Sequence, residues 1–135
     1  MVLFRRDRPQ AFLDDLMKAA IAAANPLEVV PPYLPPPPGG RTMVLGAGKA
    51  SAAMAKAVEE NWVGSLSGLI VTRHGFNVPC KRIEVVEASH PIPDAAGREA
   101  ASRILAMADS LGPNDMCLAL MSGGASALLT QPAEG

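Results

Sequence analysis

Cysteine is scarce in this chain: two occur in 135 residues, Cys80 and Cys117, and no metal-ligand spacing links them. That excludes a disulfide framework and a cysteine-built metal centre, and it predicts a cytoplasmic protein with reduced, unpaired thiols. Charge of one sign is lacking as well. Twelve basic residues face thirteen acidic ones for a net charge of −1, which leaves no electrostatic footprint for nucleic acid or an anionic membrane. The cluster Arg5-Arg6-Asp7-Arg8 is short and of mixed sign, and reads as a solvated terminus. No run approaches the roughly 18 apolar residues of a membrane-spanning helix. The start of the chain also lacks a signal-type apolar core with a cleavage site. No internal repeat is visible. What is present is globular: 49% hydrophobic and 19% charged residues, in a length that buries roughly two thirds of its unfolded surface.

Helix and strand alternate along the chain. From Gln10 to Ala24, apolar Leu13, Leu16, Met17, Ala20 and Ile21 recur at helical spacing, with Asp14, Asp15 and Lys18 opposite. Asn25-Pro26 stops that helix, because proline disfavours helical backbone just before it. Pro31 to Gly40 then reads as a stiff polyproline connector ending in a flexible glycine joint, and its P-x-x-P spacings also match an SH3-type ligand. Strands are expected at Thr42–Leu45, Leu69–Thr72, Arg82–Ala88 and Met116–Met121. One helix is expected from Ala50 to Glu60, with Ala53, Met54, Ala57 and Val58 inward. A second, capped by Asp94, runs to Leu111 and buries Ala100, Ile104, Leu105 and Ala108. The fully apolar fourth strand reads as the centre of a parallel sheet. Together these predict an α/β fold, Rossmann-like and doubly wound, with a mostly parallel sheet and helices on both faces. The chain stops soon after a strand and a glycine turn, so the sheet is expected to be incomplete and the chain a fragment.

Ligands of such sheets bind at the carboxyl ends of the strands. Four loops are expected there: Gly46–Lys49, Arg73–Cys80, Ser89–Asp94 and Ser122–Ser126. In Thr42-Met-Val-Leu-Gly-Ala-Gly-Lys-Ala-Ser51 a strand passes through Gly46 and Gly48 into a helix, which brings backbone amides and the positive helix end toward an anion. Lys49 adds a mobile cation to that turn. Neither standard phosphate motif fits. Met43 stands at the first glycine of a P-loop and Ala50 at its hydroxyl. Ser51 replaces the third glycine of the dinucleotide fingerprint, and Thr72-Arg73 follows the second strand where an acid is wanted. Arg73 would suit a 2′-phosphate, which keeps NADP open. The turn Ser122-Gly123-Gly124-Ala125-Ser126 offers amides and two hydroxyls for an anion nest. A plain turn and a nucleophilic serine are the alternatives, the latter without the G-x-S-x-G elbow. His74 and His90 sit in loops at the same edge. His90 is held in a rigid proline-flanked stretch that suits a positioned polar group, or a structural hydrogen bond. Neither histidine has a visible metal partner, so no metal ligands are assigned.

Four of these segments, in this order, resemble the first part of class II glycerate kinases, which carry a DUF4147 domain followed by a MOFRL domain and are often labelled hydroxypyruvate reductase. The segments are Gly46-Ala-Gly-Lys-Ala50, Thr72-Arg-His-Gly75, Glu87-Ala-Ser-His-Pro-Ile-Pro-Asp94 and Ser122-Gly-Gly-Ala-Ser-Ala-Leu-Leu129. The resemblance implies transfer of the γ-phosphoryl group of ATP, with Mg2+, to D-glycerate, usually giving 2-phosphoglycerate. It makes Lys49 the catalytic lysine. Gly46, Gly48, Ser51, Arg73, His90, Ser122, Gly123, Gly124 and Ser126 become candidates for holding phosphate or substrate. The family's other proposed catalytic groups, an aspartate and an arginine, have no counterpart in this stretch, and members run to roughly three times this length. The layout expected is a helical segment over 1–30, a connector over 31–41 and the truncated first part of a DUF4147-like domain over 42–135. A homodimer is left open. Ala125 departs from the family, which commonly has a third glycine there, and its bulk puts close approach of a phosphate in doubt. An NAD(P)H-dependent hydroxypyruvate reductase and a non-catalytic small-molecule-binding fragment are the alternatives.

Overall fold

A computed structural model describes residues 9–132; the basic cluster Arg5–Arg8 and residues 133–135 lie outside them. The chain runs α1 (Pro9–Ala23), α2 (Pro26–Val29), a 3-10 turn (Pro31–Tyr33), β1 (Thr42–Ala47) and α3 (Ser51–Asn61), then β2 (Leu66–Arg73), β3 (Ile83–Ala88), α4 (Ala95–Asp109), β4 (Met116–Met121) and α5 (Ala125–Leu128). The four strands form one parallel sheet in the order β3-β2-β1-β4. The α/β, doubly wound expectation therefore holds.

The two-residue period of the strands sorts their side chains onto two faces. On one face Val44, Ile70 and Leu120 pack with Ala52, Ala55 and Val58 of α3 and with Trp62. On the other, Ala47, Leu69, Val71 and Ala88 pack with Ala100 of α4 and Leu128 of α5. Alanine dominates the inner side of α3, so the helix lies close to the sheet. Gly68 has the same logic within the sheet: a Cβ there would meet the Val44 carbonyl oxygen at 2.0 Å.

Several expectations change. Among the described residues β4 lies at the edge of the four-stranded sheet, with Cys117, Ala119 and Met121 exposed. Its other side chains meet α3, whereas α4 packs over β1, β2 and β3. The parallel strands β2 and β3 are joined without a helix: residues 74–82 return along the α3 face, where Val78 and Cys80 join the core. Leu105 is exposed because α4 turns it away from the sheet. The apolar stripe of α1 (Leu13, Leu16, Met17, Ile21) is exposed too.

Asn25 does not merely end a helix. Its side chain accepts the Leu27 amide at 3.2 Å and starts α2. Val30 and Leu34 then pack on the core, so the proline stretch is docked. Gly40 is no flexible joint: its amide donates to Asn114 O, and a Cβ there would lie 2.4 Å from Asp115 Oδ1. Among the described residues, no helix is long and apolar enough to cross a membrane.

Candidate functional site

The chain leaves β1 through α3, on one face, to reach β2. It leaves the neighbouring β4 into α5, on the other face. Their carboxyl ends therefore border the crevice where doubly wound sheets take ligands, and Lys49 and the Ser122–Ser126 turn stand at it.

The first turn spends its amides inside the protein. Gly48 N donates to Val71 O at 3.0 Å, Lys49 N to Gly123 O at 3.0 Å and Ala50 N to Ser122 Oγ at 2.9 Å. The expected convergence of these amides on an anion is thus replaced by a lock between two turns. The reason lies at the start of α3, whose N-cap position is Ala50, a residue that cannot cap; Ser122 supplies the missing acceptor from the turn after β4. Gly48 must be glycine twice over, with φ at +133° and a Cβ position 2.1 Å from Ser122 Oγ. Gly46 lies within β1, where a Cβ would stand 2.0 Å from Leu120 O. Ser51 is fully buried, and its hydroxyl faces Gly48 O at 2.7 Å and Val71 O at 3.0 Å. Neither Gly46 nor Ser51 offers a group to solvent. Lys49 is exposed, and its ammonium has no ion-pair or hydrogen-bond partner among the described residues.

The second turn is the reverse. Ser122 N is spent on Ala47 O at 3.0 Å, but the amides of Gly123 and Gly124 and the Ser126 hydroxyl have no partner among the described residues. Gly124 has φ +91°, a left-handed conformation. The methyl of Ala125 joins the α4-side core, so the extra bulk that departs from the family faces away from the crevice.

His90, half-buried in the loop before α4, closes a third side. A methyl built on Gly124 would lie 2.9 Å from His90 Nε2 and 3.3 Å from Lys49 Cε. Imidazole and lysine stem thus approach one point from two sides, above a glycine with a free amide. Neither sequence spacing nor composition carries that convergence; only the turn geometry does.

The remaining candidates sit toward β2 and β3. Arg73 ends β2 with its guanidinium over the Phe76 ring, 4.6 Å from the centroid. Asp94 is the expected cap of α4: Oδ1 accepts Gly97 N at 2.9 Å and Oδ2 accepts Ser89 N at 3.1 Å, with His74 Nε2 3.8 Å from Oδ2. The Gly97 amide first, and then Ser89, hold its carboxyl below the usual range. Glu87 Oε1 accepts Gly75 N at 2.6 Å. Among the described residues, no three His, Cys, Asp or Glu side chains stand close enough to hold a metal ion.

Residues 12–135 match the model of DUF4147, a domain of unknown function. The chain belongs to the DUF4147 family. This DUF4147 chain is 52% identical over 118 residues to an Agrobacterium vitis protein provisionally named hydroxypyruvate reductase, covering 87% of this chain and 27% of that one. It is 40% identical over 96 residues to a glycerate 2-kinase of Pyrococcus horikoshii, covering 71% of this chain and 22% of that one. The crystal structure of a glycerate kinase from Thermotoga maritima superposes with a TM-score of 0.74 at 34% identity, over 89% of this chain and 30% of that one. The chain spans less than a third of the length of each of these three proteins.

Proposed function

We propose that this DUF4147 chain is the first part of a glycerate 2-kinase, which moves the γ-phosphoryl group of ATP onto D-glycerate to give 2-phosphoglycerate. The observation that carries the reading is the convergence of an unpaired Lys49 ammonium and the free Gly123 and Gly124 amides at the carboxyl ends of β1 and β4. Phosphoryl transfer needs positive charge and donors held where charge spreads over the phosphoryl oxygens, and little covalent chemistry from the protein. At about 4 Å near a protein surface, an ammonium gives on the order of 4 kcal/mol of raw attraction for a phosphate oxygen. The Gly123 and Gly124 amides hold the same group without side-chain reorganisation. The lock between Ser122 and Ala50 fixes both turns before substrate arrives.

The unpaired Lys49 ammonium and the two free amides suit a phosphate group of ATP. A magnesium site is not supplied by the described residues: the carboxylates of Asp94 and Glu87 already accept backbone amides, and no metal-binding cluster stands near. No step is routed through that ion. In this reading residues 42–135 open a longer domain that contributes further groups, and the two free cysteines suit the reducing cytoplasm.

The test is Lys49→Ala in the complete protein that carries this chain, assayed with D-glycerate and ATP and with the product read by phosphorus NMR. The expected fall in kcat is on the order of 10²–10³-fold; an unchanged rate removes Lys49 from the mechanism. A second reading, reduction of hydroxypyruvate by NAD(P)H, draws on the Agrobacterium vitis name and on Arg73 at the end of β2. Against it, Ser51 fills the third glycine position with a hydroxyl buried in structural hydrogen bonds. Incubation with hydroxypyruvate and NADPH separates the two: oxidation of NADPH without any glycerate phosphorylation reverses the assignment.

A further inference from the structure

Transfer of a phosphoryl group to an alcohol releases the hydroxyl proton, and among the described residues the strand-end edge offers few groups able to take it. Asp94 is committed to the Ser89 and Gly97 amides, which hold it in the ionised form and make it a poor base. Glu87 is committed to Gly75 N. His74 is exposed and stands beside Asp94, on the β2 side of the loop. His90 is different. It is half-buried, it makes no hydrogen bond or ion pair among the described residues, and its Nε2 comes to the same point above Gly124 as the Lys49 stem.

We infer that His90 Nε2 is the proton acceptor of the reaction, taking the proton of the glycerate hydroxyl that attacks the phosphoryl group. The inference rests on the kinase reading of the same crevice. As the new oxygen–phosphorus bond forms, the bond from the γ-phosphorus to its bridging oxygen breaks, and ADP leaves with that electron pair. The hydroxyl proton moves to His90 Nε2 and from there to solvent, so atoms and charge balance without an added reactant. Among the described residues, the titratable and charged groups around the imidazole are few. Lys49 approaches from the β1–α3 turn, its stem reaching the same point above Gly124. Asp94, on the same loop, is turned to Ser89, Gly97 and His74. The β4–α5 turn and α5 contribute no titratable side chain. The imidazole thus stands beside the ammonium that binds the phosphoryl group, with Nε2 unspent on any partner among the described residues.

The experiment uses the complete protein carrying this chain, with its fold followed by circular dichroism. His90→Gln is expected to lower kcat by about 10²-fold with KM for D-glycerate within about twofold, and to abolish the acidic limb of the kcat–pH profile. Lys49→Ala is expected to lower kcat while keeping that limb. His90→Ala is expected to regain rate on addition of imidazole, which a purely structural histidine would not show. If His90→Gln loses its fold, this rescue decides the question. A wild-type kcat in His90→Gln, a change confined to KM, a surviving acidic limb, or failure of imidazole to rescue a folded His90→Ala protein overturns the proposal. Failure of the kinase reading looks different: the wild-type protein itself then forms no phosphoglycerate.

Discussion

Glu59 is a charged residue with 8% of its surface exposed, on a helix whose other buried residues are Ser51, Val58 and three alanines. Its carboxylate accepts the amides of Lys81 and Arg82, and the Arg82 guanidinium reaches back to the carbonyls of Glu59, Trp62 and Gly64. Burial pushes the Glu59 carboxyl up, but the amides of Lys81, Arg82 and Ile83, with the Lys56 ammonium, outweigh it and hold the group below its ordinary value of 4.5. A lowered folded value means stability that is complete above the unfolded value and lost as pH falls through the folded one. Glu59→Gln is therefore expected to cost about 1–3 kcal/mol at pH 7, because two amide donors lose a charged acceptor. The urea midpoint of the variant should then fall less than that of the wild type between pH 7 and pH 3. Parallel declines would remove Glu59 from the acid response. This role was hidden in the sequence, where Glu59 looks like the polar side of an amphipathic helix; its partners lie 22 and 23 residues away. Ser122 was legible as a turn residue for the same kind of reason it was not legible as a cap. Its partner Ala50 is 72 residues distant, and nothing local marks the bond.

At the scale of elements, local signals served well where the answer is local. Asp94 reads as a cap from the residue alone, and its Oδ1 does accept Gly97 N. Asp94→Ala is expected to lower the melting temperature by a few degrees, and Asp94→Asn to restore most of it, since asparagine caps nearly as well. A variant as labile with asparagine as with alanine would show that the charge beside His74 matters more than the cap. Strand and helix positions were legible because periods of 2 and 3.6 are written in the chain. Coverage was not. The run Met116–Met121 carries apolar side chains on both faces, and that pattern reports how much surface wants burying, not which neighbours stand on it. The same limit applies to α1, whose apolar stripe was visible and whose exposure was not. The carboxyl-end loops followed from topology; which amides remain free in them depended on hydrogen bonds between turns.

The molecule as a whole has two unlike ends to its sheet. At β3, Glu84 is exposed and pairs with Arg103 of α4, so that edge carries charge and a helix beside it. At β4 the outermost strand of the described sheet is Met-Cys-Leu-Ala-Leu-Met, with three of the six side chains exposed on one face. An apolar edge strand presents unpaired amides and carbonyls to any second strand, and charge is the usual device against that pairing. The described structure has no such device on β4. Self-association through β4 is accordingly expected, with the weight-average mass from sedimentation rising as the concentration of the 135-residue chain increases. Ala119→Lys places an ammonium on the uncovered face at mid-strand. It should suppress that rise while changing folding stability by no more than about 0.5 kcal/mol, since the position is at the surface. Equal rises in both proteins would move the contact to another surface, the exposed stripe of α1 first among them. A mass independent of concentration in the wild type would mean that the twist of a four-stranded sheet is enough to keep its bare edge from pairing.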